Sequence, residues 1–408
     1  MPAAARRNLT IAAAAAATAV AAVYDLWLWL TNYAADNFHN DFTFYYAAAR
    51  LGLQHGWARL YDLGLQQQQL DAIESHITVA QLARYVSPPP LAWLVIPLTP
   101  LPYQIAYWAW SAVLAGALVL AWRLTAPDQG RASLIFLVAA VGWLPVIYGL
   151  QLGQPALLVA AAVACCSWLL RHDRPLAAGA VLGFLVLKPQ LALLVPPALL
   201  VMGRWRAFAG AAVAIGLLVV ASLIALGPQG TETYLARLAF ASGVPENRSQ
   251  TLAAWIPNLE LTRAVQAVIA AWTLALVYRL RRGDARLPLS VALVGGLAAS
   301  PYAHYDDLTM LGLAALLYLG APHPRWTWTY LLGVVIAAEG FPIWGAGPVL
   351  AGELGALALL SVAALKHDDG DAEQHHAEGQ HHTDLERDRQ HLAGDGERKA
   401  VDRGLRQA

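Results

Sequence analysis

The sequence predicts an all-α polytopic membrane protein: a helical bundle with short re-entrant helices and a substantial loop region on its outer face. Three observations carry that expectation. Of 408 residues, 58% are apolar and only 13% charged, a balance that suits lipid-facing helices and not a single water-facing domain. Apolar runs long enough, or nearly so, to cross a hydrocarbon core of about 30 Å recur along the chain. The charges are also segregated: residues 366–408 hold 11 acidic, 7 basic and 6 histidine side chains, while residues 1–365 hold 16 acidic and 20 basic ones. Two parts follow. Residues 1–365 are expected to form a membrane domain of about 10–12 helices, and 366–408 a disordered cytoplasmic tail with little aliphatic content.

The first run, 9–31, follows Arg6-Arg7. It is too long for a signal-peptide core and has no clear cleavage site, so it reads as an uncleaved first transmembrane helix. Further runs lie at 103–122, 134–150, 155–170, 207–227, 261–279, 287–300, 307–320, 326–341 and 348–365. Two apolar stretches are broken by proline: 88–102, by Pro97, Pro100 and Pro102, and 176–202, at Lys188-Pro189. Each arm of the second has about 12 residues, roughly 18 Å of helix, which is less than a bilayer. A hairpin whose tip is buried in protein or open to an outer cavity meets that constraint. The adjacent Cys165 and Cys166 sit inside an apolar run and read as small packing residues, not as a disulfide or zinc site.

Arginines orient the bundle. They cluster at Arg6/Arg7, Arg123/Arg131, Arg171/Arg174, Arg204/Arg206 and Arg279/Arg281/Arg282/Arg286, and the positive-inside rule places all of these in the cytoplasm. Both termini are then cytoplasmic, the stretch 88–102 does not cross, and five segments fall outside: the loop 32–87, the turn 151–155, the Lys188 tip, the loop 228–260 and the break 300–307. These hold most of the polar residues of the membrane body, so chemistry is expected on the outer face. The setting expected is a bacterial-type plasma membrane, with membrane lipids as neighbours and no nucleic-acid partner.

Within those segments a few residues have the chemistry for group transfer. Asp41, in the aromatic stretch 40–47, is placed to take a proton from an attacking hydroxyl; Asp36 and Asp62 compete, and any of the three could instead cap a helix. Lys188 is the sole lysine among residues 1–365. A cation in an apolar stretch needs a partner, which a phosphate, a helix-end carbonyl or the interface would supply. His304 lies in Ser300-Pro301-Tyr302-Ala303-His304-Tyr305-Asp306-Asp307 and could bind a phosphate oxygen or a leaving group. Asp306 or Asp307 is expected to cap the following helix, since two adjacent aspartates are a weak metal signal. Gln154, on the tight Gly153-Gln154-Pro155 turn, could bond a sugar hydroxyl, and Tyr45, Arg248 and Asn258 complete the candidate sugar or acceptor set. In the tail, His375-His376 and His381-His382 are at most a weak metal site.

Taken in order, these pieces resemble glycosyltransferase family 87, within the GT-C superfamily. The stretch 41–49 followed by Gly56 and Leu60-Tyr61-Asp62 looks like the family's "D…Y..A…G…LYD". Tyr85 through Pro90, Pro97-Leu98 and Trp108/Trp110 look like "Y..PP…P…W", and Leu152-Gly153-Gln154 like "LGQ". Gly179 through Lys188-Pro189, then Arg204-Trp205-Arg206, is similar to "G…G…KP…RRWR". Ser300-Pro301 with His304-Tyr305 is similar to "SP…H". One departure is Pro155-Ala156, where an Asn-containing stretch usually follows "LGQ". The resemblance spans about 25–365. It implies a GT-C fold, a polyprenyl-phosphate-linked sugar donor (often mannose), a lipid or glycan acceptor, and an inverting transfer without metal or cofactor. It also implies an aspartate of the first outer loop as base, here Asp41, with Lys188 and His304 set against the donor phosphate. The main rival class, a transporter or lipid flippase, commonly shows an internal repeat, and none is visible.

Overall fold

A computed structural model describes residues 3–79, 85–127, 130–321, 323–324 and 326–365. The acidic tail, with its histidine pairs, lies outside the described residues. Among the described residues every regular element is helical. In chain order they are α1 (Ala3–Ala35), α2 (Asp41–His55), α3 (Leu63–Ala72), α4 (Pro89–Val95), α5 (Tyr103–Thr125), α6 (Leu134–Val141), α7 (Leu144–Leu152), α8 (Ala156–Arg171), α9 (Pro175–Ala180), α10 (Val195–Val201), α11 (Trp205–Gly243), α12 (Leu259–Arg279), α13 (Arg286–Ala298), α14 (Thr309–Leu319), α15 (Thr327–Glu339) and α16 (Phe341–Trp344). A last helix, α17 (Gly347–Leu365), completes the described chain. The protein is therefore an all-α membrane protein.

Each of the ten expected runs coincides with helix, but fewer reach full span. Among the described residues four helices, α5, α11, α12 and α17, are long and apolar enough to cross a bilayer, and the bent pair α6–α7 makes a fifth candidate. The pair meets at 62°, at Gly142-Trp143, where a Cβ on Gly142 would stand 2.6 Å from the Thr18 carbonyl oxygen of α1. By contrast α8, α13 and α15 have 16, 13 and 13 residues, or roughly 20–24 Å of helix. Short helices of this kind are tolerated where their ends are covered by protein.

Two expected loops carry helices. The segment 32–87 carries α2 and α3, and the segment 228–260 is helix as far as Gly243, because α11 resumes after a kink at Gly227 (φ 61°, ψ −176°) and Pro228. Most of α11 is lipid-facing: Val213, Leu217 and Ile224 are exposed apolar side chains. Its N-terminal part packs closely on α9, where a Cβ on Gly210 would lie 2.4 Å from the Leu176 carbonyl oxygen, the close backbone approach that small residues permit in membranes. The two proline-broken stretches are interrupted in the structure as well: α4 and a following 3₁₀ turn, 96–98, form one short apolar piece, and 175–201 breaks at Lys188-Pro189.

Candidate active site

The site is built from α2 outward. Asn40 caps α2, its side-chain oxygen accepting from Thr43 N at 3.2 Å, so the first-turn carboxylate of Asp41 is not used as a cap. The rest of α2 is clamped by aromatics that the sequence supplies in alternation. The Tyr46 hydroxyl donates to the carbonyls of Thr99 (3.2 Å) and Leu101 (2.8 Å), Thr43 and Tyr103 share a hydroxyl–hydroxyl bond of 2.6 Å, and Phe42 stacks on Trp110 with centroids 6.0 Å apart. This packing fixes where Asp41 points.

Opposite it stands the turn that ends α7. Gly153 adopts the left-handed conformation (φ 73°, ψ 25°), and a Cβ there would lie 2.7 Å from Phe42 Cβ. Glycine is thus required both by backbone angle and by contact with α2. Trp110 Nε1 donates to the Gly153 carbonyl at 2.7 Å, and Gln154 N to the Gly149 carbonyl at 2.8 Å. The turn so held aims the Gln154 amide at the carboxylate: Gln154 Nε2 donates to Asp41 Oδ2. On the other side, Gln154 Oε1 accepts from the Tyr45 hydroxyl at 3.2 Å and from Lys188 Nζ at 3.1 Å.

Lys188 is buried, 8% exposed, at the break before Pro189. Its Nζ donates to Asp306 Oδ2 at 2.7 Å and forms an ion pair with Asp307. Both aspartates are fully buried, on a 3₁₀ turn (Tyr305–Leu308) pinned by Trp143 Nε1 to the Leu308 carbonyl (3.1 Å) and by the Tyr305 hydroxyl to the Ala338 carbonyl (2.7 Å). Asp307 also caps that turn, accepting from His304 N at 2.9 Å, so the expected capping role holds and a second role is added to it. The His304 ring nitrogen Nε2 lies 2.9 Å from Asn247 Oδ1.

The structure thus joins Asp41, Tyr45, Gln154 and Lys188 through direct side-chain contacts and reaches His304 through Asp307, which pairs with Lys188 and accepts from His304 N; each of the five segments expected on the outer side contributes. Asp306, Asp307 and Asn247 are members that the sequence did not assign. Asn258 stands apart: it is exposed and caps α12, accepting from Leu261 N at 2.9 Å. Arg248 is half-buried beside Asn247; its carbonyl accepts from the Thr251 hydroxyl at 2.8 Å, and its guanidinium forms no hydrogen bond or ion pair among the described residues. The competitors of Asp41 are accounted for. Asp62 caps α3 through Gly64 N and Leu65 N, and Asp36 accepts from Phe38 N, His39 N and His76.

The electrostatics suit proton transfer. Burial, with the charge of Asp306 behind it, raises the Asp41 carboxyl to about 6, against the opposing pull of Lys188 and the Gln154 hydrogen bond. Such a group is ionised at neutral pH yet a stronger base than an ordinary aspartate. Burial, and then the Lys188 charge, lower the His304 imidazole below its usual value, which favours the neutral ring.

A sequence model of glycosyltransferase family 87 matches residues 85–301, more than half of the chain. The chain belongs to glycosyltransferase family 87. The match takes in Gln154, Lys188 and the segment carrying Asn247, and it ends at the turn that presents His304, Asp306 and Asp307. No curated protein and no solved structure matches the chain. As a family 87 member the protein is a glycosyltransferase of the membrane, acting between a sugar donor and an acceptor.

Proposed function

We propose that this glycosyltransferase moves a hexose, mannose being the leading choice, from a polyprenyl-phosphate-linked donor to a hydroxyl of a lipid or glycan acceptor, with inversion, at the outer face of a bacterial-type plasma membrane. The observation that carries the reading is the state of Asp41. Its carboxylate is relieved of capping by Asn40, held by the Gln154 amide, and raised to about 6. A single oriented carboxylate is what a direct displacement asks for. The acceptor oxygen attacks the anomeric carbon, the bond to the phosphate oxygen breaks with its electron pair leaving on the polyprenyl phosphate, and Asp41 takes the acceptor's proton. The departing phosphate would face the His304 side; Asn247 Oδ1 accepts from Nε2–H and so orients the ring, and a proton taken up at Nδ1 from solvent would supply the donor that meets the developing charge. Tyr45 and the free guanidinium of Arg248 are then the groups for acceptor or sugar hydroxyls.

The sidedness rests on the arginine pattern and on the convergence of all five segments assigned to one side. The polyprenyl chain would lie against the lipid-facing helices, where α11 offers Leu217 and Ile224.

The test is transfer itself. Purified protein in lipid, given labelled polyprenyl-phosphate-mannose and a membrane lipid extract, is expected to yield a new glycosylated product. A protein that ignores polyprenyl-phosphate-hexoses and uses a nucleotide sugar directly overturns the reading.

A further inference from the structure

The position of Lys188 invites a phosphate-binding role, but its surroundings argue for another. An ammonium group has three N–H donors. Here they face three acceptors: Gln154 Oε1 at 3.1 Å, Asp306 Oδ2 at 2.7 Å, and the Asp307 carboxylate. A phosphate arriving at Nζ would have to displace one of these. It would also come up against Asp306, Asp307 and, across one amide, Asp41, three carboxylates around one cation in a buried setting where like charges interact strongly. The position favours holding a cation in place over recruiting an anion to it.

What Lys188 grips is informative. Gln154 Oε1 is its one uncharged partner, and the Nε2 of the same amide donates to Asp41. A primary amide has two ends, and fixing the oxygen fixes which way the nitrogen points. With Lys188 and Tyr45 both donating to Oε1, the amide cannot flip without presenting NH₂ to an ammonium. Its Nε2 is thereby committed to the base.

We infer that Lys188 is a positioning residue: anchored by Asp306 and Asp307, it locks the Gln154 amide and so holds the Asp41 carboxylate correctly aimed, while the donor phosphate is bound elsewhere in the site. This rests on Asp41 being the base, as proposed above. It makes Asp306 and Asp307 part of the catalytic apparatus at one remove, and Gln154 the link between an internal ion pair and the reacting proton.

The test compares Lys188→Met and Gln154→Met with the wild-type enzyme in transfer assays across pH. Transfer by the wild type tests the functional reading; the departure of the variants from it tests the inference. Both variants are expected to lose about 10-fold or more in kcat with the donor KM within about 2-fold of wild type. In both, the acid limb of kcat/KM moves to higher pH, because Lys188 and the Gln154 hydrogen bond each pull the Asp41 carboxyl down. The double variant should be no worse than the weaker single one, since both break one linkage. Lys188→Met leaves two buried aspartates without their cation, so where it fails to fold, Gln154→Met, which changes no charge, decides alone. Two results overturn the inference: a Lys188→Met enzyme whose donor KM rises about 10-fold with kcat and acid limb unmoved, or a Gln154→Met enzyme with wild-type kcat and acid limb.

Discussion

Lys188 and Asp25 are both ionisable side chains buried among apolar helices, and they are partnered in opposite ways. Lys188 donates to Gln154 on the α7–α8 turn and to Asp306, and pairs with Asp307, on the 305–308 turn. Asp25, in α1, is 1% exposed, and neither of its carboxylate oxygens has a hydrogen-bond partner among the described residues. A buried charge without a partner costs several kcal/mol, and breaking a good buried pair costs about as much. Burial of an ionisable group therefore does not by itself mark a site. Convergence does: around Lys188, segments distant in sequence have been brought together at the expense of apolar packing, and the turns that carry them are individually pinned. Near Asp25 the charged neighbour is another carboxylate, Glu339, which accepts from Leu144 N at 3.1 Å; among the described residues no cation meets Asp25.

The contrast can be broken most severely at Asp306. Asp306→Ala leaves Lys188 short of one carboxylate and is expected to cost about 3–5 kcal/mol, the scale for breaking a buried pair. Asp25→Leu is expected to unfold at the same temperature as the wild type or higher, with transfer unchanged, because it removes a polar group that nothing satisfies. Thermal unfolding of the detergent-solubilised protein reads both; equal losses for the two would erase the distinction.

A pH profile sharpens it. A base must be deprotonated to work, and burial sets the Asp41 carboxyl at about 6. Transfer measured as kcat/KM should therefore be level above pH 7 and fall about tenfold per unit well below pH 6. An acid limb near 4 would mean that Asp41 behaves as an ordinary solvated carboxylate. The smallest effect lies at Asn258, a sequence candidate that the fold uses otherwise. Asn258→Ala should cost about 1 kcal/mol for a lost cap and leave transfer within about 2-fold; a large fall in transfer would return it to the site.

How much was legible beforehand differs by kind of feature. Helix positions followed from apolar runs, and the breaks at Lys188-Pro189 and 88–102 from proline, because these are local properties. The length of several spans did not follow: whether 13 residues of α13 suffice depends on what covers their ends. The segment 32–87 read as a loop because α2 has no lipid-length apolar run; its order comes from Tyr46, Thr43 and Phe42 docking onto residues 99–110. Within the site, Lys188 was visible because it is alone in its stretch of sequence, and Asp41 through its resemblance to a known pattern. Asp306 and Asp307 looked like a helix start, which Asp307 indeed is; their pairing with Lys188 needed two segments more than 100 residues apart to meet. Asn247 carried no signal, being one polar residue among several in 246–250.

The central claim is that Asp41 is the base, and Asp41→Asn tests it with the least disturbance, keeping size and hydrogen bonding while removing the proton acceptor. Single-turnover transfer at saturating donor is the measurement, beside a thermal unfolding curve of the same preparation. A stable protein that still binds donor lipid and turns over about 10²-fold more slowly or worse is expected. A stable Asp41→Asn enzyme with near-normal turnover would contradict it.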